Sequence, residues 1–122
     1  MFNFLFLLQA AFASDVYEGC VVERQEWNDR YQEWVTTSVE SHYSDEPVQF
    51  IINEKTFQVE RRERRPIIEK YTKDGDQCWK EHEHSFFCYD KKHKHLYWEF
   101  HYKNGKVTRD VVTICALNGE AP

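Results

Sequence analysis

The chain has 122 residues and a formal charge of −5 at neutral pH, and although its mean hydropathy is only −0.78, 16% of its residues are aromatic. So many large rings supply a core, which excludes a disordered chain, and the length fits one domain. The acidic balance argues against binding polyanions through bulk charge.

Residues Met1 to Ala13 read as a cleaved secretory signal. Phe2, Phe4, Leu5, Phe6, Leu7 and Leu8 form a short apolar run, Ala11-Phe12-Ala13 follows it as a small-residue cleavage pattern, and the first charged side chain is Asp15. A bilayer-crossing helix needs about 20 apolar residues, so no membrane anchor is expected. The remainder, residues 14–122, is then expected to be a single secreted α+β domain.

Val16 to Val22 reads as a first strand. Trp27, Tyr31, Trp34 and Val35 then recur at helical spacing, with Glu26, Asn28, Asp29, Arg30, Gln32 and Glu33 on the other face, predicting an amphipathic helix from about Arg24 to Thr36. Ser38 to Pro47 reads as a loop. Val48 to Ile52 and Thr56 to Glu60 flank Asn53-Glu54-Lys55 as a hairpin, and Pro66 marks an edge strand or bulge before Ile67 to Tyr71. Leu96 to Tyr102 and Val107 to Ile114 flank Asn104-Gly105, the favoured pair for a type I′ turn. The expected fold is therefore α+β: one N-terminal amphipathic helix packed on an antiparallel sheet of about six strands, with two disulfides.

An even number of cysteines in an exported chain implies disulfides. Four cysteines allow three connectivities, among which sequence alone does not choose; the favoured one joins Cys20 to Cys115, tying the two ends together, and Cys78 to Cys88, closing a local hairpin. No close C-x-x-C pair is present, so neither a zinc knuckle nor a thioredoxin-type site is supported.

Two surfaces stand out. Arg61, Arg62, Arg64 and Arg65 form the densest cationic run and are candidates for an anion site, since planar guanidinium groups hold carboxylate or phosphate bidentately. The competing reading is a solvated edge whose charges block aggregation, favoured by the interleaved Glu60 and Glu63. Tyr97, Glu99, His101 and Lys103 share one face of a predicted strand, and an aromatic rimmed by charge is a candidate partner-binding surface. The histidine pairs His82/His84 and His93/His95 each place two imidazoles on one strand face within reach of a metal, but such pairs arise easily in a sequence this rich in His, and a solvated, titratable surface is the favoured reading. No cofactor or metal is expected.

The chain lacks nucleophile-elbow, zincin, phosphate-loop and calcium-loop motifs, so no catalytic residue is assigned. Tyr17 and Cys20, a following helix, a sheet containing Pro66-Ile67-Ile68 and a terminal Cys115 together resemble the layout of small secreted fungal guanyl-type ribonucleases and their effector relatives. The resemblance covers layout and end-to-end disulfide, and it implies either a hydrolase or a binding relative that keeps the fold without the activity. The leading expectation is a secreted, non-enzymatic, effector-like binding protein with a protein partner outside the producing cell. The alternative is a ribonuclease-like hydrolase or RNA-binding relative, with Glu60, Arg62 and His101 as its candidates by residue type.

Overall fold

A computed structural model describes residues 14–42 and 46–122; the proposed leader, residues 1–13, lies outside them, as do residues 43–45 of the predicted loop. None of the described residues is helical. The fold is all-β: β1 (Asp15–Asn28), β2 (Glu33–Ser41), β3 (Val48–Ile52), β4 (Thr56–Val59), β5 (Arg65–Pro66), β6 (Glu69–Lys73), β7 (Asp76–His82), β8 (Ser85–Asp90), β9 (His95–His101) and β10 (Val107–Leu117). All pairings are antiparallel. Nine strands follow one path, β5-β4-β3-β1-β10-β9-β8-β7-β6, and β2 pairs with β1 beside that path.

The predicted helix is therefore corrected to a hairpin. Trp27 and Trp34 are seven residues apart, which suits a helical face, but they are direct cross-strand partners with ring centroids 5.3 Å apart. The turn between them is built by Asn28, whose Oδ1 accepts the Tyr31 amide, by Asp29, which accepts the Trp27 indole N–H, and by Gln32 at φ 52°. The run Trp34-Val35-Thr36-Thr37 is aromatic and β-branched, and such side chains lose rotamer freedom in a helix and pack well on a pleated surface. The residues read as the start of a loop, Ser38 to Ser41, complete β2.

The sheet curls into a half-barrel. Its core lies on the concave face and includes Tyr17, Phe50, Ile52, Phe57, Trp79, Phe87, Leu96 and Val112. Phe57 of β4 stacks on Phe87 of β8 at 4.2 Å although five strand pairings separate them along the path, so the two halves of the sheet face each other. The ends of the path are consecutive in the chain: Ile67 donates to the Lys55 carbonyl on one side and Ile68 to that of Lys80 on the other. The core follows strand period, as in β8, where Ser85, Phe87 and Tyr89 are buried and Phe86, Cys88 and Asp90 are not.

Cys20 pairs with Cys115 and Cys78 with Cys88, leaving no free thiol among the described residues. Cys20 and Cys115 fall at the two register shifts of the β1/β10 ladder, where each is left out of the pairing. Gly19 sits at the same irregularity because a Cβ there would collide with Val112. Among the described residues no helix is long and apolar enough to cross a membrane.

The arginine run is a turn rather than the strand that would have divided it between two faces. Glu60 reverses the chain at φ 51°, Arg61, Arg62 and Arg64 are exposed, and Arg65 begins β5. Arg65 serves the fold, because its Nε lies 3.3 Å from Oε1 of Glu81, a carboxylate only 2% exposed. The other Glu81 oxygen accepts from Ser85 Oγ, which accepts the Trp98 indole N–H. Removing the cation leaves a buried charge without a counter-ion, softened by the solvent exposure of the guanidinium. Arg65→Ala is expected to cost about 2–3 kcal/mol, against no more than about 0.5 kcal/mol for Arg61→Ala or Arg64→Ala. Urea unfolding of the three variants checks this; equal losses would contradict it.

Candidate binding site

The strands β6 to β10 carry a second assembly on the convex face. Register places Tyr71, Cys78, Cys88 and Tyr97 in one cross-strand row and Lys80, Phe86, Glu99 and Arg109 in the next, so alternation brings their side chains to the same side. The β6/β7 connection is a two-residue turn in which Asp74 and Gly75 both have positive φ, 53° and 86°, the arrangement of a type I′ hairpin. In the later hairpin only Gly105 has positive φ, so the predicted type I′ turn at Asn104-Gly105 is not formed.

These elements line a half-open cavity of about 440 Å³, with Tyr71, Phe86, Cys88 and Tyr97 as an apolar floor and Lys73, Asp74, Asp76, Glu99, His101 and Arg109 as charged or titratable walls. The volume lies within the usual range for small-ligand and side-chain pockets. Of the partner-surface residues expected from the sequence, Tyr97, Glu99 and His101 meet here, whereas Lys103 lies in the exposed turn after β9. Glu99 and His101 bond to each other at 2.7 Å, and the Phe86 ring packs edge-on to His101.

Arg109 was not singled out by the sequence. Its guanidinium carbon lies 4.2 Å from the centroid of Trp34 and 5.1 Å from that of Tyr97, and its Nε donates to Gln25 Oε1 at 2.7 Å. Desolvation lowers the pKa of this arginine. Burial raises that of Tyr97, opposed by Arg109, and also that of Tyr71, where Glu99 and Glu69 add to the rise.

No family model, curated protein or solved structure matches the chain. The layout likeness to guanyl-type ribonucleases loses its helix, and what remains of it is an antiparallel sheet and the Cys20–Cys115 disulfide. The candidate hydrolase residues are also dispersed: His101 lines the outer cavity, Arg62 lines a recess of about 40 Å³ beside Phe57 and Trp98, and Glu60 lines neither. Cys88 lines the cavity as a half-cystine and so offers no thiol. Among the described residues no group of three or more potential ligands is placed to hold a metal ion. The histidine pairs stand apart, with ring centroids 6.3 Å apart in both, and His93 is instead bonded to Asp90 at 2.6 Å. That bond, first among its causes, holds the Asp90 carboxyl below its usual range.

The cavity has a mixed apolar and charged lining. It offers flat apolar surface, one oriented cation and several acceptors at its edge, the ingredients of a recognition pocket.

Proposed function

We propose that this chain is a secreted, non-enzymatic binding module that recognises a protein partner outside the producing cell through the convex-face cavity. The observation that carries the reading is the convergence of Tyr97, Phe86 and Tyr71 with Arg109, Glu99 and His101 around one hollow on a rigid sheet. Aromatic and arginine side chains at the centre of a concave patch are the usual anchors of protein interfaces. Export agrees with the leader-like residues 1–13, and two disulfides suit an oxidising, extracellular setting.

Panning a random displayed-peptide library against the oxidised domain tests the proposal. Enriched peptides are expected to contain an aromatic residue and to lose at least about tenfold in affinity against Tyr97→Ala, since truncating a hot-spot anchor costs about 2 kcal/mol or more. Lys103→Ala and Arg61→Ala should leave affinity unchanged. Peptides that bind Tyr97→Ala as well as the parent would place recognition elsewhere.

A further inference from the structure

We infer that the cavity selects a group in which a flat apolar surface adjoins a single carboxylate, with Arg109 as the residue that takes the carboxylate. This rests on the proposal that the cavity is the recognition site, and it names the chemistry recognised there. In a protein partner that chemistry is an acidic residue beside an aromatic one.

The argument starts from how Arg109 is held. Trp34 and Tyr97 lie against its guanidinium, and Gln25 takes the Nε hydrogen. A guanidinium carries five N–H donors, and a carboxylate accepts from two of them side by side. Among the described residues no carboxylate lies within ion-pairing distance of Arg109, and no hydrogen bond from its terminal nitrogens is formed. The two carboxylates whose fields reach it are engaged elsewhere: Glu99 with His101, and Glu23 as acceptor of the Thr36 hydroxyl. A partly desolvated, oriented cation thus stands in the wall of a cavity with its terminal donors unspent. Its pKa is lowered because desolvation outweighs the opposing fields of Tyr97, Glu99 and Glu23.

The remaining lining selects among anions. Asp74, Asp76 and Glu99 outnumber Lys73 apart from Arg109 itself, so a dianionic phosphate meets more repulsion than a monoanionic carboxylate. The floor of Tyr71, Phe86, Tyr97 and the Cys88 half-cystine favours a ring or other flat apolar group over a bare carboxylate.

Titration of the ¹⁵N-labelled oxidised domain tests this, read from the Arg109 Nε–H resonance and the Tyr97 and Glu99 amides. The probes are phenylacetate and its neutral isostere phenylacetamide, phenyl phosphate, and the blocked dipeptides N-acetyl-Asp-Phe-amide and N-acetyl-Asn-Phe-amide. Phenylacetate and the Asp dipeptide are expected to bind at least about tenfold more tightly than their amide counterparts and than phenyl phosphate. The Asp dipeptide is expected to bind more tightly than phenylacetate if the natural source is a peptide; the reverse order assigns the same site to a free aromatic acid. Arg109→Gln should erase the preference for acid over amide, and Arg109→Lys should retain only part of it, with both variants checked for native spectral dispersion. Acid and amide binding equally, or a preference that survives in Arg109→Gln, overturns the inference while leaving the cavity as a recognition site. If neither these probes nor the panned peptides perturb Tyr97 or Glu99, the recognition site itself is overturned.

Discussion

Replacing Cys20 and Cys115 together by alanine is expected to lower stability by about 4–5 kcal/mol, the largest loss of any substitution considered. The two residues are 95 positions apart, so their bond closes a long loop in the unfolded chain and removes the entropy of closing it, whereas the pair Cys78 and Cys88, 10 apart, closes only a hairpin and is expected to contribute about 3 kcal/mol. The long link also ties β1 to β10, the pair on which both halves of the sheet depend, at a place where both strands are bulged and the ladder is interrupted. For a domain of this size the loss corresponds to a fall in Tm of roughly 20 °C. Thermal unfolding of the double alanine variant beside Cys78→Ala/Cys88→Ala checks the ranking. A smaller loss from the long link than from the short one would contradict it.

Phe87→Ala is expected to cost about 3–5 kcal/mol, because it removes a ring that fills the space between the two facing halves of the sheet. Phe87 is 1% exposed and is stacked between Phe57, at 4.2 Å, and Trp79, at 5.2 Å. Neither neighbour can close the gap without moving a strand, so a cavity remains and adds to the lost transfer energy. The adjacent Phe86 provides the control, since it points to the convex cavity and is only half-buried. Phe86→Ala is expected to cost about 1 kcal/mol in stability and to weaken ligand binding instead. Denaturant unfolding of both variants reads the difference; similar losses would mean that the sheet does not curl over Phe87.

The sequence was most legible where the information is local. The pairing of Val48 to Ile52 with Thr56 to Val59 and that of β9 with β10 were both visible, because each pair of alternating strands is consecutive in the chain and joined by turn residues. Four cysteines leave three pairings open in sequence, and the structure shows the favoured one, Cys20 with Cys115 and Cys78 with Cys88. The second half of β1 and the start of β2 misled, because residues seven apart lie on one face of a helix and equally face each other across a tight hairpin; Trp27 and Trp34 satisfy both patterns. Asn28 and Asp29 were the available signal for the turn, together with the β-branched run after Trp34. Curling of the sheet was not legible, since it depends on Phe57 meeting Phe87 and on Ile67 and Ile68 bridging the ends, contacts between strands that do not neighbour each other.

The same ambiguity hid half of the candidate site. Alternation along β9 brought out Tyr97, Glu99 and His101. Arg109 could not be singled out, because Gln25 and Trp34, which orient it, were assigned to a helix with no reason to meet β10. Lys103 continues the alternation in sequence, but the strand ends at His101 and the chain turns away. The four arginines looked equivalent as a run, and only the buried Glu81 distinguishes Arg65 from the others.

Hydrogen–deuterium exchange of the oxidised domain, with and without a peptide from the panned library, tests the central claim most directly. Binding at the convex cavity predicts added protection in β6, β8, β9 and β10 around Tyr71, Phe86, Tyr97 and Arg109, and none in the turn at residues 60–64. Protection confined to that arginine-rich turn, with the β9 and β10 amides unchanged, would contradict it.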